Sequence, residues 1–443
     1  MKPPIQNRLL PLLLALCTAC GEDPATPGAS QKAAKGPTFE ELVSGGSSGE
    51  ASSELEVTLA LPQLAFAANS ISLPTGGTWR EHPSLGDLDG DGRDDLIASN
   101  REEDGLNVWR SAPGEAWQLT REGITDDLMY GGSAIGDLDG DGDADFLFAA
   151  HKKGVRSFLG NGDMTWTELE GALDAPFLAL DVALGNLNGD EHLDALTIAQ
   201  FKRREGGLGV FLGRGDGSFE FRPEHEALMG RSKMGVQAEL ADMDGNGLDD
   251  LLLTAEWGAL LFTTHLEADG SLRFEDRSAG LPTPPDNMGN VLRACVPVDL
   301  EGDGTQELAF ASFCNPAQPI EKRHSLGVYR WDEAGSTWLR LPAAGLPDGL
   351  AYSDVLGADL DGDGLGDLVV IGPGLGASVY RGDGQGSFEA VGTLEGTKAG
   401  GRGALGDVDG DGALDIAVIC GDTKSRPDGG AVRTFLNRPE AWR

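Results

Sequence analysis

Residues 86–96 read GDLDGDGRDDL, a stretch so dense in aspartate that its charges repel one another unless a cation sits among them. Numbered from its first acid, the stretch carries Asp87, Asp89, Asp91 and Asp95 at positions 1, 3, 5 and 9. The same positions hold Asp137, Asp139, Asp141 and Asp145 in a second copy and Asn186, Asn188, Asp190 and Asp194 in a third. They hold Asp242, Asp244, Asn246 and Asp250 in a fourth, and Asp299, Glu301, Asp303 and Glu307 in a fifth. The sixth has Asp359, Asp361, Asp363 and Asp367, and the seventh Asp407, Asp409, Asp411 and Asp415. Position 4 is always Gly, which lets the backbone turn with positive φ around an ion. Position 2 is always apolar and plugs the loop into a core. Position 7 reads Arg93, Asp143, His192, Leu248, Thr305, Leu365 and Ala413, with no common side-chain chemistry, so it is expected to offer its backbone carbonyl. Hard oxygen donors at alternate positions, with no His or Cys pair at zinc spacing, point to calcium.

An EF-hand needs a bidentate acid at position 12 and flanking helices. Here position 12 is Ala98, Phe148, Thr197, Leu253, Phe310, Val370 or Val418, and the flanks are β-rich, so that reading fails. The third copy, with two asparagines and Glu191 in place of the position-6 Gly, is expected to bind weakest or stay empty. The seven loops take 25 of the 72 acids of the chain, and five to seven calcium ions per chain are expected to act structurally.

The elements that must position these loops follow from their spacing. The copies begin 50, 49, 56, 57, 60 and 48 residues apart, so units of about fifty residues fill the chain. In each unit a short apolar lead-in precedes the loop, a β-rich run such as DFLFAA or DLVVIG follows, and a third run and a Gly-rich hairpin close it. Four short strands per unit cannot bury both faces alone, so neighbouring sheets must stack. The expected fold is all-β, a seven-bladed β-propeller of four-stranded antiparallel blades. The blades are expected at 78–127, 128–176, 177–232, 233–289, 290–349, 350–398 and 399–443. The last unit lacks a fourth strand, and the apolar stretch at 55–67 is expected to supply it and close the ring.

GDLDGDGxxDL followed by FLGNGD or FLGRGDGSF resembles the FG-GAP/VCBS repeats of integrin-α-type β-propellers, over about residues 78–443. The resemblance implies calcium in the hairpin between the first and second strands of a blade, on the lower rim. It also implies an upper-mouth cup, in which aromatic residues hold a partner's side chain. Trp79, Tyr130, Phe177, Met234 and Tyr352 precede the first strands of five units and are the candidates, with core packing as the alternative. The family includes adhesion receptors, lectins and modules attached to enzymes, so it does not select a function.

The chain is strongly acidic, with 72 Asp and Glu against 34 Lys and Arg, which argues against nucleic-acid binding through a general basic field. Ten basic residues nevertheless gather in the loops expected after the second strands: Arg101, Lys152, Lys153, Lys202, Arg203, Arg204, Lys322, Arg323, Lys424 and Arg426. Those loops lie opposite the acidic ones, and they read either as solvated charge or as a face for an anionic partner. Catalytic motifs are thin. GGSSG at 45–49 matches GxSxG but has no strand before it, and no convergent set of acids and bases is legible. The tripeptides Arg214-Gly215-Asp216 and Arg381-Gly382-Asp383 sit where another copy reads Asn161-Gly162-Asp163, so turn chemistry accounts for them.

Lys2 and Arg8 precede an apolar run at 9–16 that is too short to span a bilayer, and CTACG at 17–21 resembles a bacterial lipobox ending at Cys20. Residues 1–20 read as a signal peptide, 21–54 as a Gly/Ser/Pro-rich tether and 55–443 as the propeller. Cys295 and Cys314 flank the fifth loop and are a candidate disulfide, and Cys420 is expected in a buried strand. The expected protein is an exported, lipid-anchored monomer at the cell envelope that binds a glycan, an envelope component or a protein ligand. The alternatives are simple secretion, a lectin, or a polysaccharide-acting enzyme using the upper face.

Overall fold

The computed structural model describes residues 65–79, 81–101, 105–125, 128, 130–151, 153–173, 179–198, 208–222, 235–255, 258–282, 291–313, 325–421 and 430–442. Within them lie seven four-stranded antiparallel sheets arranged as a ring, a β-propeller. Six blades follow one grammar, as the second blade shows with Ser133–Gly136, Asp145–Ala150, Gly154–Gly160 and Trp166–Leu169 paired in chain order. The seventh has three consecutive strands, Gly400–Gly406, Asp415–Cys420 and Ala431–Asn437, and takes its outermost strand from Phe66–Ala68. Phe66 pairs with Asn437 and Ala68 with Phe435, so the N-terminal side of the ring closes the last blade as expected, although the strand sits at the end of the 55–67 stretch.

Burial explains the sequence of each strand. Second strands such as Asp145–Ala150 and Asp415–Cys420 are buried along their whole length, because both faces are covered by adjacent blades, and they read as unbroken apolar runs. First strands line the central channel and are partly exposed, as in Ser84–Gly86. The hydrophobic core is seven clusters, one for each interface between adjacent blades. The interface that closes the ring joins Val408, Ile419 and Val432 of the seventh blade to Trp79, Leu96 and Trp109 of the first.

The position-2 plugs fall into these interfaces with a fixed rule. Leu88, Leu138, Leu187, Met243, Leu300, Leu360 and Val408 each join the cluster shared with the following blade. Burying a side chain of this size contributes roughly 1.5–3 kcal/mol. The conformation of each acidic loop is thereby tied to the cohesion of the ring.

Cys295 is a free, buried thiol, and the expected bridge to Cys314 is corrected. The hairpin register sets Cys295 opposite Phe310 and Val291 opposite Phe313, the residue before Cys314. Phe313 already lies three residues of strand, roughly 10 Å, from the point opposite Cys295, beyond disulfide reach. Cys314 itself lies outside the described residues, as do Cys20 and the whole of residues 1–64. Cys420 is buried in its strand.

Candidate metal centres

Each acidic loop is the connection from a first to a second strand, so all seven leave the same edge of the ring. Gly90 and Gly92 take φ of 72° and 82°, and five other copies repeat this pair of left-handed glycines. In the third copy Gly189 keeps a positive φ, but Glu191 does not adopt one, so that loop follows another path at position 6.

The carboxylates divide the work. Position 1 shapes the loop: Asp137 Oδ1 accepts the Gly140 N–H at 2.7 Å, and its Oδ2 accepts the Gly142 N–H at 3.1 Å. Position 5 accepts the N–H of position 7, as Asp141 does from Asp143 at 2.9 Å and Asp363 from Leu365 at 3.0 Å. Position 9 opens the second strand and staples the loop to the blade. Asp145 Oδ2 accepts the Leu138 N–H and Oδ1 the Gly160 N–H, both at 2.7 Å. The same double contact is made by Asp95, Asp194, Asp250, Asp367 and Asp415.

Positions 1, 3 and 9 converge in five blades: Asp87, Asp89 and Asp95; Asp137, Asp139 and Asp145; Asp242, Asp244 and Asp250; Asp359, Asp361 and Asp367; Asp407, Asp409 and Asp415. In each group one oxygen per residue lies within 4.8 Å of the others. Oxygens on opposite sides of a calcium ion stand about 5 Å apart, so the donor set fits that ion. Asp89 Oδ1 and Asp409 Oδ1 are buried without a hydrogen-bond partner, as expected of atoms aimed at a cation. Without one the triads are strained electrostatically. Burial pushes Asp95, Asp250, Asp367 and Asp415 up to about 7 and Asp145 and Asp194 up to about 6, with neighbouring loop acids adding to the rise.

Two loops depart. The third, with Asn186 and Asn188, turns an amide on its own acid, Asn188 Nδ2 donating to Asp190 at 2.7 Å. The fifth has four carboxylates by count, yet its longer Glu301 and Glu307 are both engaged by Arg330, and no triad forms there. Arg330 is one of four arginines from third strands or their ends that sequence reading missed. Arg110 engages Asp89 and Asp91, Arg381 engages Asp361 and Asp363 at 2.7 Å each, and Arg438 reaches Asp409 at 3.1 Å. In the second, third and fourth blades the residue equivalent to Arg110 and Arg381 is Leu159, Leu212 or Thr263. A guanidinium beside the triad competes with a divalent ion by Coulomb repulsion of about 1–2 kcal/mol after screening. Arg381→Leu is therefore expected to tighten calcium at the sixth loop about tenfold. Titration of chelator-stripped protein checks this, and an unchanged affinity would remove the arginine from the account.

Position 8 was also missed. Asp94 Oδ2 accepts the Asp407 N–H at 2.8 Å and Asp249 Oδ2 accepts the Asn186 N–H at 2.7 Å, each tying a loop to that of the preceding blade. The doubled aspartates of GRDDL and GLDDL were the available signal.

The FG-GAP-like repeat family matches residues 87–148, 137–197, 186–253 and 359–418, just over half of the chain. The protein belongs to the FG-GAP-like repeat family. The matched segments start on position 1 of a loop and end inside the second strand of the next blade, so the FG-GAP-like unit recognised in the sequence spans a blade interface. No curated protein matches the chain. Among solved structures, a lectin from Agrocybe aegerita, described for recognition of non-reducing terminal N-acetylglucosamine, is 17% identical with a TM-score of 0.49, covering 74% of this chain and 83% of that one. The V. cholerae biofilm matrix protein Bap1 is 13% identical with a TM-score of 0.43, covering 85% and 91%. The rhamnogalacturonan lyase YesW is 15% identical with a TM-score of 0.43, covering 84% and 76%. The sugar recognition, matrix role and lyase activity named there belong to those proteins.

The other candidate residues of this FG-GAP-like protein separate clearly. Trp79 is a core residue, 2% exposed, with its indole N–H donated to Gly76 O at 2.8 Å. Tyr352 is equally buried and gives its hydroxyl to Pro347 O. Tyr130 is partly exposed, stacked on His151 with centroids 4.8 Å apart, and the Arg101 guanidinium lies 4.0 Å from its ring centre. Lys153 is exposed, whereas Lys152, Phe177, Lys202, Arg203, Arg204, Met234, Lys322, Arg323, Lys424 and Arg426 lie outside the described residues. Asp216 and Asp383 accept N–H bonds within their own hairpins, from Ser218 at 3.0 Å and Gln385 at 2.8 Å, which is turn chemistry. His82, Asp181, Glu239, Asp354 and Arg402 come together in the central channel from five blades, a convergence that was not legible in the sequence.

Proposed function

We propose that the protein is an exported, calcium-stabilised β-propeller, anchored through a lipid on Cys20, that binds an anionic saccharide at the cell envelope. One observation carries the reading. All acidic hairpins connect first to second strands, and in an antiparallel blade the connections from second to third strands must leave the opposite edge. Ten of the 34 basic residues fall in those connections, which supports a reading in which a cationic face opposes the acidic, metal-binding one. Arg101, held against Glu81 and over Tyr130, offers a cationic and aromatic contact suited to an acidic sugar.

The test is binding of calcium-loaded protein to immobilised anionic and neutral glycans at low and high salt. Anionic glycans are expected to bind, more weakly as salt rises. Reversing Lys152, Lys153, Arg203 and Arg204 to Glu is expected to abolish that binding without changing the calcium count or melting temperature. Binding that survives the reversal leaves the basic loops as solvated charge.

A further inference from the structure

The innermost strands line a half-open cavity of about 320 Å³ on the ring axis. Its polar end is built from residues far apart in the chain. His82 lies just before the first strand of blade one and spans the channel, with Nδ1 3.6 Å from Asp181 of blade three and Nε2 3.6 Å from Asp354 of blade six. Both contacts are ion pairs, too long for hydrogen bonds. Asp354 also faces Arg402 of blade seven at 3.4 Å and accepts the Gly403 N–H at 2.8 Å. Arg402 is fixed by the carbonyls of Arg293 and Ser353, each at 2.9 Å. Burial and Arg402 pull the His82 pKa down, but the two carboxylates outweigh them and it stands at about 9, so the imidazole is charged at neutral pH.

Among these groups His82 and Arg402 offset Asp181 and Asp354, and one further acid lines the cavity. Glu239 of blade four also lines the cavity. It accepts one hydrogen bond, from Gln237 Nε2 at 2.7 Å, and makes no ion pair among the described residues. Gln237 is itself held in place by the Cys295 N–H, which donates to its Oε1 at 3.3 Å. Burial pushes Glu239 up to about 7, with Asp181 and Asp354 adding to the rise against the pull of His82. Beyond it the wall is apolar, formed by Leu184, Leu240, Val296 and Leu356.

We propose that this cavity binds a small organic cation, an alkylammonium whose head pairs with Glu239 and whose chain lies against those four aliphatic side chains. The chemistry selects against the other classes. An anion meets the surplus carboxylate. A divalent metal needs several free oxygens, and Asp181 and Asp354 are committed to His82 and Arg402. A neutral saccharide would leave most of its hydroxyls against an apolar wall. A cation with a hydrocarbon body satisfies both ends, and the volume is at the lower end of the range of small-molecule sites.

The test is calorimetric titration of the calcium-loaded full chain with n-butylammonium, using n-butanol as the neutral analogue of the same length. Butylammonium is expected to bind one per chain and raise the melting temperature, with butanol at least tenfold weaker. Glu239→Gln, which keeps the shape and removes the charge, should abolish that preference. Val296→Phe, which fills the apolar end and leaves Glu239 in place, should abolish binding of both while the calcium count holds, and it serves if the first variant does not fold. Absence of butylammonium binding, equal binding of butanol, or binding unchanged in a folded variant would overturn the proposal.

Discussion

Chelation of divalent cations should lower the melting temperature of this protein by roughly 10 °C. At a Kd of about 0.1 mM in ~1 mM calcium, each site contributes about 1.4 kcal/mol by mass action. The five converged sites then sum to roughly 7 kcal/mol, comparable with the whole stability of a domain. For a propeller of this length an unfolding entropy of about 0.8 kcal/mol/K converts that sum into the stated shift. The route is the position-2 plug, because a loop that opens pulls Leu138 or its equivalent out of a blade interface. The pH dependence should reverse sign between the two states. In the metal-free protein the position-9 aspartates are pushed up, to about 7 for Asp250 and about 6 for Asp145, so the folded state holds protons that the unfolded chain releases. Metal-free stability is then greatest near pH 4 and falls as pH rises to about 7. In calcium the opposite slope is expected, since protons compete with the ion. Calorimetric melts at pH 5 and pH 8, with and without chelator, together with metal analysis, decide the matter. A chelator-insensitive protein that carries no calcium would defeat the structural-calcium reading.

Asp145→Ala should destabilise the protein by about 3–5 kcal/mol, whereas Asp143→Ala, two residues away, should stay within about 0.5 kcal/mol. Asp145 is fully buried, and its loss strands the Leu138 and Gly160 N–H groups in the interior, besides removing a candidate metal ligand. Asp143 is partly exposed, and the contribution expected of position 7 is the backbone carbonyl, which alanine retains. The loss for Asp145→Ala should persist in excess chelator, because the two N–H groups are stranded with or without metal. Denaturant unfolding of both variants in calcium and in chelator checks each part. An Asp145→Ala penalty that vanished in chelator would make the residue a ligand alone and not a staple.

Much of this was legible in the chain because the loop is a local object repeated in register. Alternating acids, left-handed glycines and an apolar plug within nine residues specify a metal-sized turn. The recurrence of that turn every fifty residues or so specifies stacked four-stranded units, since each unit leaves an apolar face that only another copy can cover. Even ring closure followed from the strand missing after Ala431–Asn437.

What the chain alone left undecided are contacts made by single, unrepeated residues. Whether the carboxylates of a loop are open to a metal depends on a residue in the third strand or at its end, arginine in some blades and leucine or threonine in others. The fifth loop looked complete until Arg330 was placed on it. Trp79 and Tyr352 precede first strands just as Tyr130 does, but packing buries two of them and leaves the third partly exposed. The channel cluster is the extreme case. His82 and Asp354 are separated by most of the ring in sequence and carry no motif, and only closure of the blades around one axis brings them within 3.6 Å. Short-range spacing encodes the blade, because its hydrogen bonds join neighbours in the chain. The channel belongs to the ring, where side chains from distant blades are forced into one low-dielectric space and must settle their charges against each other.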